Sequence, residues 1–398
     1  MLKLRVCLGL LTLLLPAANA SAVRDQFTPL TASTLTQSSQ LFPGTDGRLH
    51  LVYELLLTNT SPTPATLKTI EVVDSSDTSK VLANFSGPEL LLRLRSSNSA
   101  PVESATIEFN GTRLFLIDLS LDAAAVVPQG VSHHLELTGA SGPGRTPAAP
   151  VRLSYTVAPL KVVAPLPAIS APLSGKGWVA VNGCCNPMGV HRGAGLAVNG
   201  KIRFAQRFAI DWMRLDSSGN LVHGDPSDVH SYSGYGADVL AVADGKVVDI
   251  LNDLGDQQPG ALPDPKTITI DNVDGNHIVL DLGNGLYAFY AHLQKGSIAV
   301  EAGNRVKRGQ VLGKLGNSGN TSAPHLHFHL MDGPSVLGSS GIPYKIGSFD
   351  LVGQVSQSDF AKATGVEGNF SKGLLATPSA RSNEFPLDLN VVNFLRAE

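Results

Sequence analysis

The sequence predicts an all-β protein built from two successive β-rich parts. Only 16% of its 398 residues are charged, against about 25% in an ordinary soluble domain. Hydrophobic residues reach 43%, and the chain has 40 Gly and 25 Pro. This composition favours many short, buried strands separated by turns, and it excludes disordered, collagen-like and coiled-coil chains. We expect no long helix.

The overall charge argues against a nucleic-acid partner. The formal net charge is −3 at neutral pH. A protein that neutralises many phosphates carries an excess of Lys and Arg, which this chain lacks.

Residues 1–22 have the pattern of a signal peptide. Lys3 and Arg5 precede a short apolar run over 8–15, and Ala20-Ser21-Ala22 offers small residues for cleavage. The run is too short to span a bilayer, and no later apolar run reaches the ~18 residues that a span needs. No Cys follows the run where a lipoprotein would need one. We predict an exported protein, periplasmic or extracellular, with no stable membrane anchor.

Residues 23–165 predict an immunoglobulin-like (Ig-like) β-sandwich. Leu49, Leu51, Tyr53, Leu55 and Leu57 alternate along one strand. Further strands are predicted at 67–73, 90–94, 106–109, 113–119 and 133–137, with Pro, Gly, Asn and Ser between them. Several short strands at this spacing are typical of such a sandwich.

Two histidines of this part are neighbours and predict no site. His133 and His134 would point to opposite faces of a strand, which makes a poor chelate. We expect both to lie on the surface or half-buried.

The rest of the chain divides into three predicted segments. Residues 166–177 form a linker rich in Pro and Ala, and residues 178–350 form the second domain. Apolar patches at 385–389 and 391–395 predict that a tail, 351–398, docks back on this domain as strands.

Cysteine is too sparse for a disulfide framework. Cys184 and Cys185 are adjacent, so they could form a vicinal disulfide, stay as free thiols or bind a metal. We hypothesise that they brace the nearby loop that carries His191.

Histidines concentrate in the second domain, where eight of the eleven lie between His191 and His329. In a strand over 324–330, His325, His327 and His329 share one face, while the intervening apolar residues face a core. Imidazole is a common metal ligand and a frequent acid–base group. This face is therefore a candidate catalytic or metal site.

A second candidate strand carries an aspartate. Phe208, Ile210 and Trp212 alternate with Arg207 and Asp211. A carboxylate on a strand built for burial needs a partner, which could be a metal or the Arg207 guanidinium.

A third candidate is His292, at the end of an alternating strand over 286–293. It contributes only if the fold brings it beside the His325 strand.

These residues form part of an ordered set of blocks. The blocks are Asp211, 235–247 (YGADVLAVADGKV), 275–281 (GNHIVLD), 290–293 (YAHL), 306–310 (VKRGQ), 316–319 (GNSG) and 325–328 (HLHF). Over roughly 205–331 the chain resembles the lysostaphin/LytM-type zinc metallopeptidases, which cleave peptide cross-links of bacterial peptidoglycan. The resemblance implies an antiparallel β-sheet core with a substrate groove over it.

The resemblance also implies roles and partners. Asp211 and His327 match zinc (Zn²⁺) ligands, and His325 with His292 matches the base and transition-state stabiliser. The implied activity is an exported zinc metalloendopeptidase. Its implied substrates are stem or cross-bridge peptides of peptidoglycan, with small, flexible residues such as Gly or D-Ala in the groove.

One position departs from the family. Its first zinc ligand is a histidine four residues before the aspartate, and here that residue is Arg207. Arginine has no lone pair for a metal.

Three explanations stay open. Another histidine fills the gap, with His191 preferred over His223, His230 and His329. Alternatively, Arg207 pairs with Asp211, and the domain is a catalytically silent module that binds peptidoglycan or activates a hydrolase. In the third, His325, His327 and Asp211 hold a metal in a rearranged site.

Overall fold

The computed structural model describes residues 25–140, 142, 149–363 and 370–394. The predicted signal peptide, residues 1–22, lies outside the described residues. Strands and turns dominate, and the two α-helices of the described part have seven residues each. Among the described residues, no helix has the length and apolar character needed to cross a membrane. The protein is all-β, as predicted.

The first part of the chain forms two layered sheets. Its elements are β1 (Leu30–Thr34), β2 (Ser38–Gln40), β3 (Phe42–Pro43), β4 (Arg48–Asn59), β5 (Ala65–Asp74), β6 (Asp77–Ser86), α1 (Gly87–Arg93), β7 (Leu94–Ser96), β8 (Thr106–Ile107), β9 (Thr112–Asp122), β10 (Gly130–Gly139) and β11 (Val151–Val163). One sheet has the order β1-β4-β9-β7 with β3 beside β4, and the other has the order β2-β11-β10-β5-β6 with β8 beside β5.

The predicted alternation in β4 is confirmed. Leu51, Tyr53, Leu55 and Leu57 are fully buried in the core between the two sheets. This makes the first part a β-sandwich, and its likeness to immunoglobulin domains stays a prediction.

The strand predicted at 90–94 is wrong, because those residues lie mainly in α1. Pro88 occupies the first turn of the helix, where its missing N–H costs nothing. Leu90, Leu91 and Leu92 are good helix formers without strand alternation. Arg93 closes the helix by an ion pair of 2.7 Å to Glu89, one turn earlier.

His133 is not at the surface, contrary to our expectation. Its side chain is fully buried, with Nε2 2.9 Å from the Tyr53 hydroxyl and Nδ1 donating to the Ala158 carbonyl at 2.8 Å. Burial lowers the pKa of His133 to about 4. His134 points to the other face and is half-buried, as expected.

The second part is one large sheet, antiparallel except for one parallel pair of strands, with two small ones. Its elements are β12 (Ala168–Ile169), β13 (Gly175–Val181), β14 (Leu196–Val198), β15 (Lys201–Arg203), β16 (Ile210–Arg214), β17 (Asp238–Leu240), β18 (Gly245–Leu251), β19 (Asn276–Gly283), β20 (Leu286–Leu293), β21 (Arg305–Val306), β22 (Val311–Lys314), β23 (Leu326–Met331), β24 (Gly341–Ile342), β25 (Lys345–Gln354), α2 (Gln357–Ala363), β26 (Leu374–Glu384) and β27 (Asn390–Phe394). Short 3-10 helices lie at Val229–Ser231, Pro265–Thr267 and Phe370–Gly373.

The large sheet has twelve strands, ten of them in the order β12-β25-β27-β13-β16-β23-β20-β19-β18-β21. The parallel pair is β12–β25. β24 pairs with β23 and β26 with β25, while β14-β15 and β17-β22 are separate pairs. Residues of the predicted linker contribute β12 and the start of β13. Residues of the predicted tail contribute β26 and β27, and β27 lies between β25 and β13.

The sandwich packs directly on the large sheet. Phe42 lies with its ring 5.5 Å from Phe208 and 5.2 Å from Phe385. Val52, on the second face of β4, belongs to the core of the large sheet. Both faces of β4 are therefore buried, although its sequence predicted only one.

Buried charges complete this interface. Glu54 of β4 is fully buried and forms ion pairs of 2.6 Å with both Arg192 and Arg207. Arg192 also pairs with Asp118 of β9 at 3.0 Å. Burial by itself raises the pKa of Glu54, but the two guanidinium groups outweigh it and hold that pKa below its usual range.

We predict that His133→Asn makes stability less sensitive to acid. In the wild type, an unfolded His133 takes up a proton as the pH falls below about 6.5, whereas the folded side chain resists until about 4. Stability present above pH 6.5 is therefore lost as the pH falls toward 4. Between pH 7 and pH 5, the free energy of unfolding of the wild type should therefore fall by about 2 kcal/mol more than that of the variant.

The measurement is the unfolding midpoint in urea at both pH values. His134→Asn, on the opposite face of the same strand, is the matched control and should behave as the wild type. Equal pH dependence in the wild type and His133→Asn would contradict the prediction.

Candidate metal centre

Strand register brings the aspartate and the histidines together. Asp211 of β16 lies opposite His327 of β23, and on its other side His327 lies opposite Ala291 of β20. Opposed residues in an antiparallel pair project from the same face. His292 follows Ala291 directly, and His325 directly precedes β23. The prediction that the apolar residues of the His325 strand face a core is confirmed, because Leu326, Phe328 and Leu330 lie in the main core.

His191 reaches the same centre from a loop. It lies between β13 and β14, and its Nε2 is 3.3 Å from Asp211 Oδ2. Its ring centroid is 4.9 Å from that of His327. The side chain is only 5% exposed, so it is an internal part of the site.

The Asp211 carboxylate contacts His191, His325 and His327 as well as Asn182. Oδ1 is 2.8 Å from His327 Nδ1 and 3.4 Å from His325 Nε2, and Oδ2 accepts from Asn182 Nδ2 at 2.8 Å. Burial by itself raises the pKa of Asp211, but attraction to His191 and His325 outweighs it and holds that pKa well below its usual range. Asp211 is therefore ionised at neutral pH.

Hydrogen bonds to backbone carbonyls orient three of the rings. Nδ1 donates to Ala209 O at 3.1 Å in His191, to Ser318 O at 2.8 Å in His292 and to Ala323 O at 2.8 Å in His325. A carbonyl can only accept, so Nδ1 carries the proton in each ring. In the neutral rings, Nε2 therefore faces the centre with a free lone pair.

This donor set fits a metal ion. Two triads have ligand atoms within 4.8 Å of one another: His191, Asp211 and His327, and His292, His325 and His327. Imidazole nitrogens with one carboxylate are the usual ligands of catalytic zinc. Without a metal, burial by itself lowers the pKa of His191 and His325, but the charge of Asp211 outweighs burial and raises both. A bound cation would replace these ring protons as the positive partner of the carboxylate. The Nδ1 hydrogen bond of His191 is the outer support that metal-bound histidines usually have.

Arg207 does not pair with Asp211, so the pairing expected in the second alternative is wrong, while the silent module stays a prediction. Its Nε and Nη2 donate to Glu54 at 2.8 and 2.6 Å, and Nη1 donates to Gly341 O at 3.1 Å. All three nitrogens are thus engaged away from the centre.

The other candidate histidines do not join either triad. The side chains of His223 and His230 are 66% and 73% exposed, and they pair with Asp216 and Asp228. His329 lies behind His327, with Nδ1 3.1 Å from His327 Nε2. Its own Nε2 is buried without a hydrogen-bond partner.

The loops that carry Gly275 and Ser318 pack tightly against each other, and this contact fixes the ring of His292. His292 has a left-handed backbone, with φ of 60°, a strained conformation for a residue other than Gly. The carbonyl of Ser318 that anchors its ring lies against Gly275, where a Cβ would be 2.1 Å from Ser318 O. Burial, and then the charges of His325 and His327, lower the pKa of His292 well below its usual value.

Sequence reasoning missed two residues of the centre. Asn182 donates to Asp211, and Ser318 orients His292. Ser318 falls in the GNSG block at 316–319, which gave a usable signal. Asn182 follows β13 directly, and no sequence pattern indicated its role, because that role depends on the pairing of β13 with β16.

Cys184 and Cys185 form a disulfide, so the free-thiol and metal-ligand alternatives are wrong. The pair lies between Asn182 and the His191 loop. Cys184 O accepts from the Asp388 N–H at 3.1 Å, and the Asp388 side chain accepts from the Gly183 N–H at 3.0 Å. The bracing of the His191 loop stays a hypothesis.

Comparison with known proteins identifies the class of this domain. Residues 229–337 match Peptidase family M23. The chain therefore carries a domain of Peptidase family M23. The match begins after Asp211, so it covers His292, His325 and His327 but neither Asp211 nor His191.

Two curated relatives are similar over short stretches. Peptidoglycan DD-endopeptidase ShyA of Vibrio cholerae is 44% identical over 57 residues, which are 14% of this chain and 13% of the relative. Glycyl-glycine endopeptidase ALE-1 of Staphylococcus capitis is 34% identical over 109 residues, or 27% of this chain and 25% of the relative. The chain thus spans a quarter or less of the length of these relatives.

Solved structures give weaker likeness. The catalytic domain of lysostaphin from Staphylococcus simulans is 23% identical, with 37% of this chain and 80% of that chain covered and a TM-score of 0.22. A complex of SpoIIIAH and SpoIIQ gives 20% identity, 42% and 93% coverage, and a TM-score of 0.27. TM-scores this low add nothing to the assignment, which rests on the sequence match.

We predict that Gly275→Ala destabilises the protein more than Gly283→Ala. Both glycines have positive φ, at 64° and 86°, so each alanine incurs a similar backbone strain of roughly 1 kcal/mol. Only at Gly275 does the new Cβ meet the Ser318 carbonyl, whereas nothing lies within 4 Å at Gly283. Calorimetry should give a Tm lower by ~4 °C or more for Gly275→Ala than for Gly283→Ala. Equal Tm values would contradict this contact.

Proposed function

We propose that this chain is an exported zinc metalloendopeptidase that hydrolyses peptide cross-links of bacterial peptidoglycan. The M23 domain supports a peptidase. The observation that carries the zinc assignment is the convergence of His191, His325 and His327 nitrogens on the Asp211 carboxylate. The export pattern in residues 1–22 agrees with a substrate that lies outside the cytoplasmic membrane.

In this proposal, Asp211, His327 and His191 hold the metal. His191 takes the role that Arg207 cannot fill, and a site with three protein ligands leaves a position for water. Bound zinc lowers the pKa of that water to about 7 and polarises the scissile carbonyl.

His292 and His325 handle protons. Their ring centroids are 4.7 Å apart, and their Nε2 atoms face the centre because Nδ1 of each is bound to a carbonyl. From there, one ring in its neutral form accepts the proton of the attacking water, and the other, in its protonated form, donates from Nε2 to the developing oxyanion. His329, in contact with His327 Nε2, fixes the orientation of that ligand.

The substrate class follows from the resemblance and the relatives. Two relatives are named as a DD-endopeptidase and a glycyl-glycine endopeptidase. We infer that the substrates are stem or cross-bridge peptides with small residues, Gly or D-Ala, at the cleaved bond.

We predict about one zinc per chain, lost in His191→Ala. Removal of one of three ligands typically leaves too few to retain zinc through dialysis. The measurement is elemental analysis of the purified full chain after zinc loading and dialysis. The matched control is His223→Ala, an exposed histidine outside the centre, which should keep its zinc. Zinc retained in His191→Ala would reject His191 as a ligand.

We also predict that the wild type releases cross-linked peptides from purified peptidoglycan, and that His325→Ala lowers the rate by about 100-fold or more. The measurement is mass spectrometry of the soluble products, with and without a chelator. His277→Ala is the control, because His277 pairs with Asp249 outside the centre. Binding to peptidoglycan without any product would favour the silent binding or activating module instead.

A further inference from the structure

The loop that carries His191 has little support of its own. Between β13 and β14 it contains the Cys184–Cys185 disulfide and turns, which are closed by bonds such as Gly189 N–H to Asn186 O and Gly193 N–H to Gly189 O. Asp211 and His327, in contrast, are fixed by strand register. The position of His191 therefore depends on what holds this loop.

Arg192, the next residue, is the main anchor of the loop, and the hydrogen-bond partners of its guanidinium belong to the sandwich. It is 1% exposed. Nε donates to Asp118 at 3.0 Å and Nη1 to Glu54 at 2.6 Å. Nη2 donates to the carbonyls of Tyr53 and Ile117 at 2.9 and 3.2 Å. Two carboxylates and two carbonyls from β4 and β9 thus fix a guanidinium adjacent to His191.

A second sandwich residue holds the other end of the loop. Arg95 of β7 donates through Nη2 to Pro187 O at 2.9 Å. The loop is therefore fixed on both sides of His191 by residues of the sandwich.

Glu54 also holds Arg207, the residue at the position where the family has its first zinc-ligand histidine. Its two oxygens accept from Arg207 Nη2 and Nε, and Oε1 accepts from Arg192 Nη1 as well. One carboxylate thus holds Arg207 away from Asp211 and fixes the residue next to His191.

We propose that Glu54 and Asp118 are positioning residues of the metal centre, so that the sandwich completes the site of the peptidase domain. This rests on the proposed function, specifically on His191 as a ligand. The sandwich supplies no ligand itself. It fixes the loop through Arg192 and thereby keeps His191 Nε2 at the Asp211 carboxylate.

The test uses the full chain with Asp118→Asn and Glu54→Gln, which keep the side-chain shape and remove the charge. The matched control is Asp122→Asn, on the same strand β9, because Asp122 pairs with Arg48 at the surface instead. His191→Ala serves as the reference for a site without this ligand.

The first measurement is hydrogen–deuterium exchange of the metal-free chains. The amides of Gly189, Gly193 and Ala194 report on the loop, because each donates within it. Both variants should exchange there at least tenfold faster than the wild type, while β20 and β23 stay protected. Asp122→Asn should match the wild type.

The second measurement is Co²⁺ titration followed by visible absorption, which reports on the number and type of ligands. We expect the Kd to rise at least tenfold in both variants, with spectra shifted toward that of His191→Ala. A wild-type spectrum and Kd in both variants, with weak binding in His191→Ala, would overturn the positioning role and leave the proposed function intact.

Other outcomes are equally decisive. No Co²⁺ binding by the wild type would overturn both proposals. Equal binding by His191→Ala would overturn the positioning role and reject His191 as a ligand, and it would leave the peptidase activity to be decided by the peptidoglycan assay. If Glu54→Gln exchanges rapidly throughout because it fails to fold, Asp118→Asn alone decides the question.

Discussion

The carboxylate of Glu54 is the buried charge at which the two parts of the molecule meet. It is fully buried, and among the described residues its ion-pair partners are Arg192 and Arg207 from the second part. Removing one partner of such a buried cluster typically costs about 3–5 kcal/mol, because the remaining charges stay unpaired. Around it, Val52 packs in the core of the large sheet. The second face of β4 is thus an internal surface of the protein.

The metal centre combines two kinds of support. Asp211 and His327 are opposed residues of neighbouring strands, so the pairing of β16 with β23 sets their distance. His191 and His292 depend on loops, through Arg192 in one case and the Ser318 carbonyl in the other. The sheet therefore presents the carboxylate, while one anchored loop carries His191 and a second loop orients the ring of His292 at the end of β20. Loop positions are where a ligand can be exchanged between relatives without rebuilding the sheet.

Sequence patterns correctly predicted the features that depend only on neighbouring residues in the chain. The alternation of β4 and of the His325 strand gave the correct faces, because side chains in a strand alternate whatever surrounds them. The helix α1 was missed because three leucines in a row fit either a buried strand or a helix. The burial of Glu54 was unpredictable, since its partners Arg192 and Arg207 lie far along the chain. Four histidines were candidates for the missing ligand, and local patterns could not show that His191 lies at Asp211 while His223 and His230 are exposed, because these positions depend on how distant segments pack.

The insertion of β27 between β13 and β25 has a consequence for biogenesis. Val179 of β13 pairs with Val391 of β27. A strand that is synthesised early therefore pairs only after a strand that is synthesised much later. Until then, one edge of β13 is unpaired, and open edges are sites of wrong association. Contacts this distant in sequence also form slowly. The ribosome therefore synthesises the chain as far as β27 before β13, the strand beside β16 and Asp211, is paired on both edges.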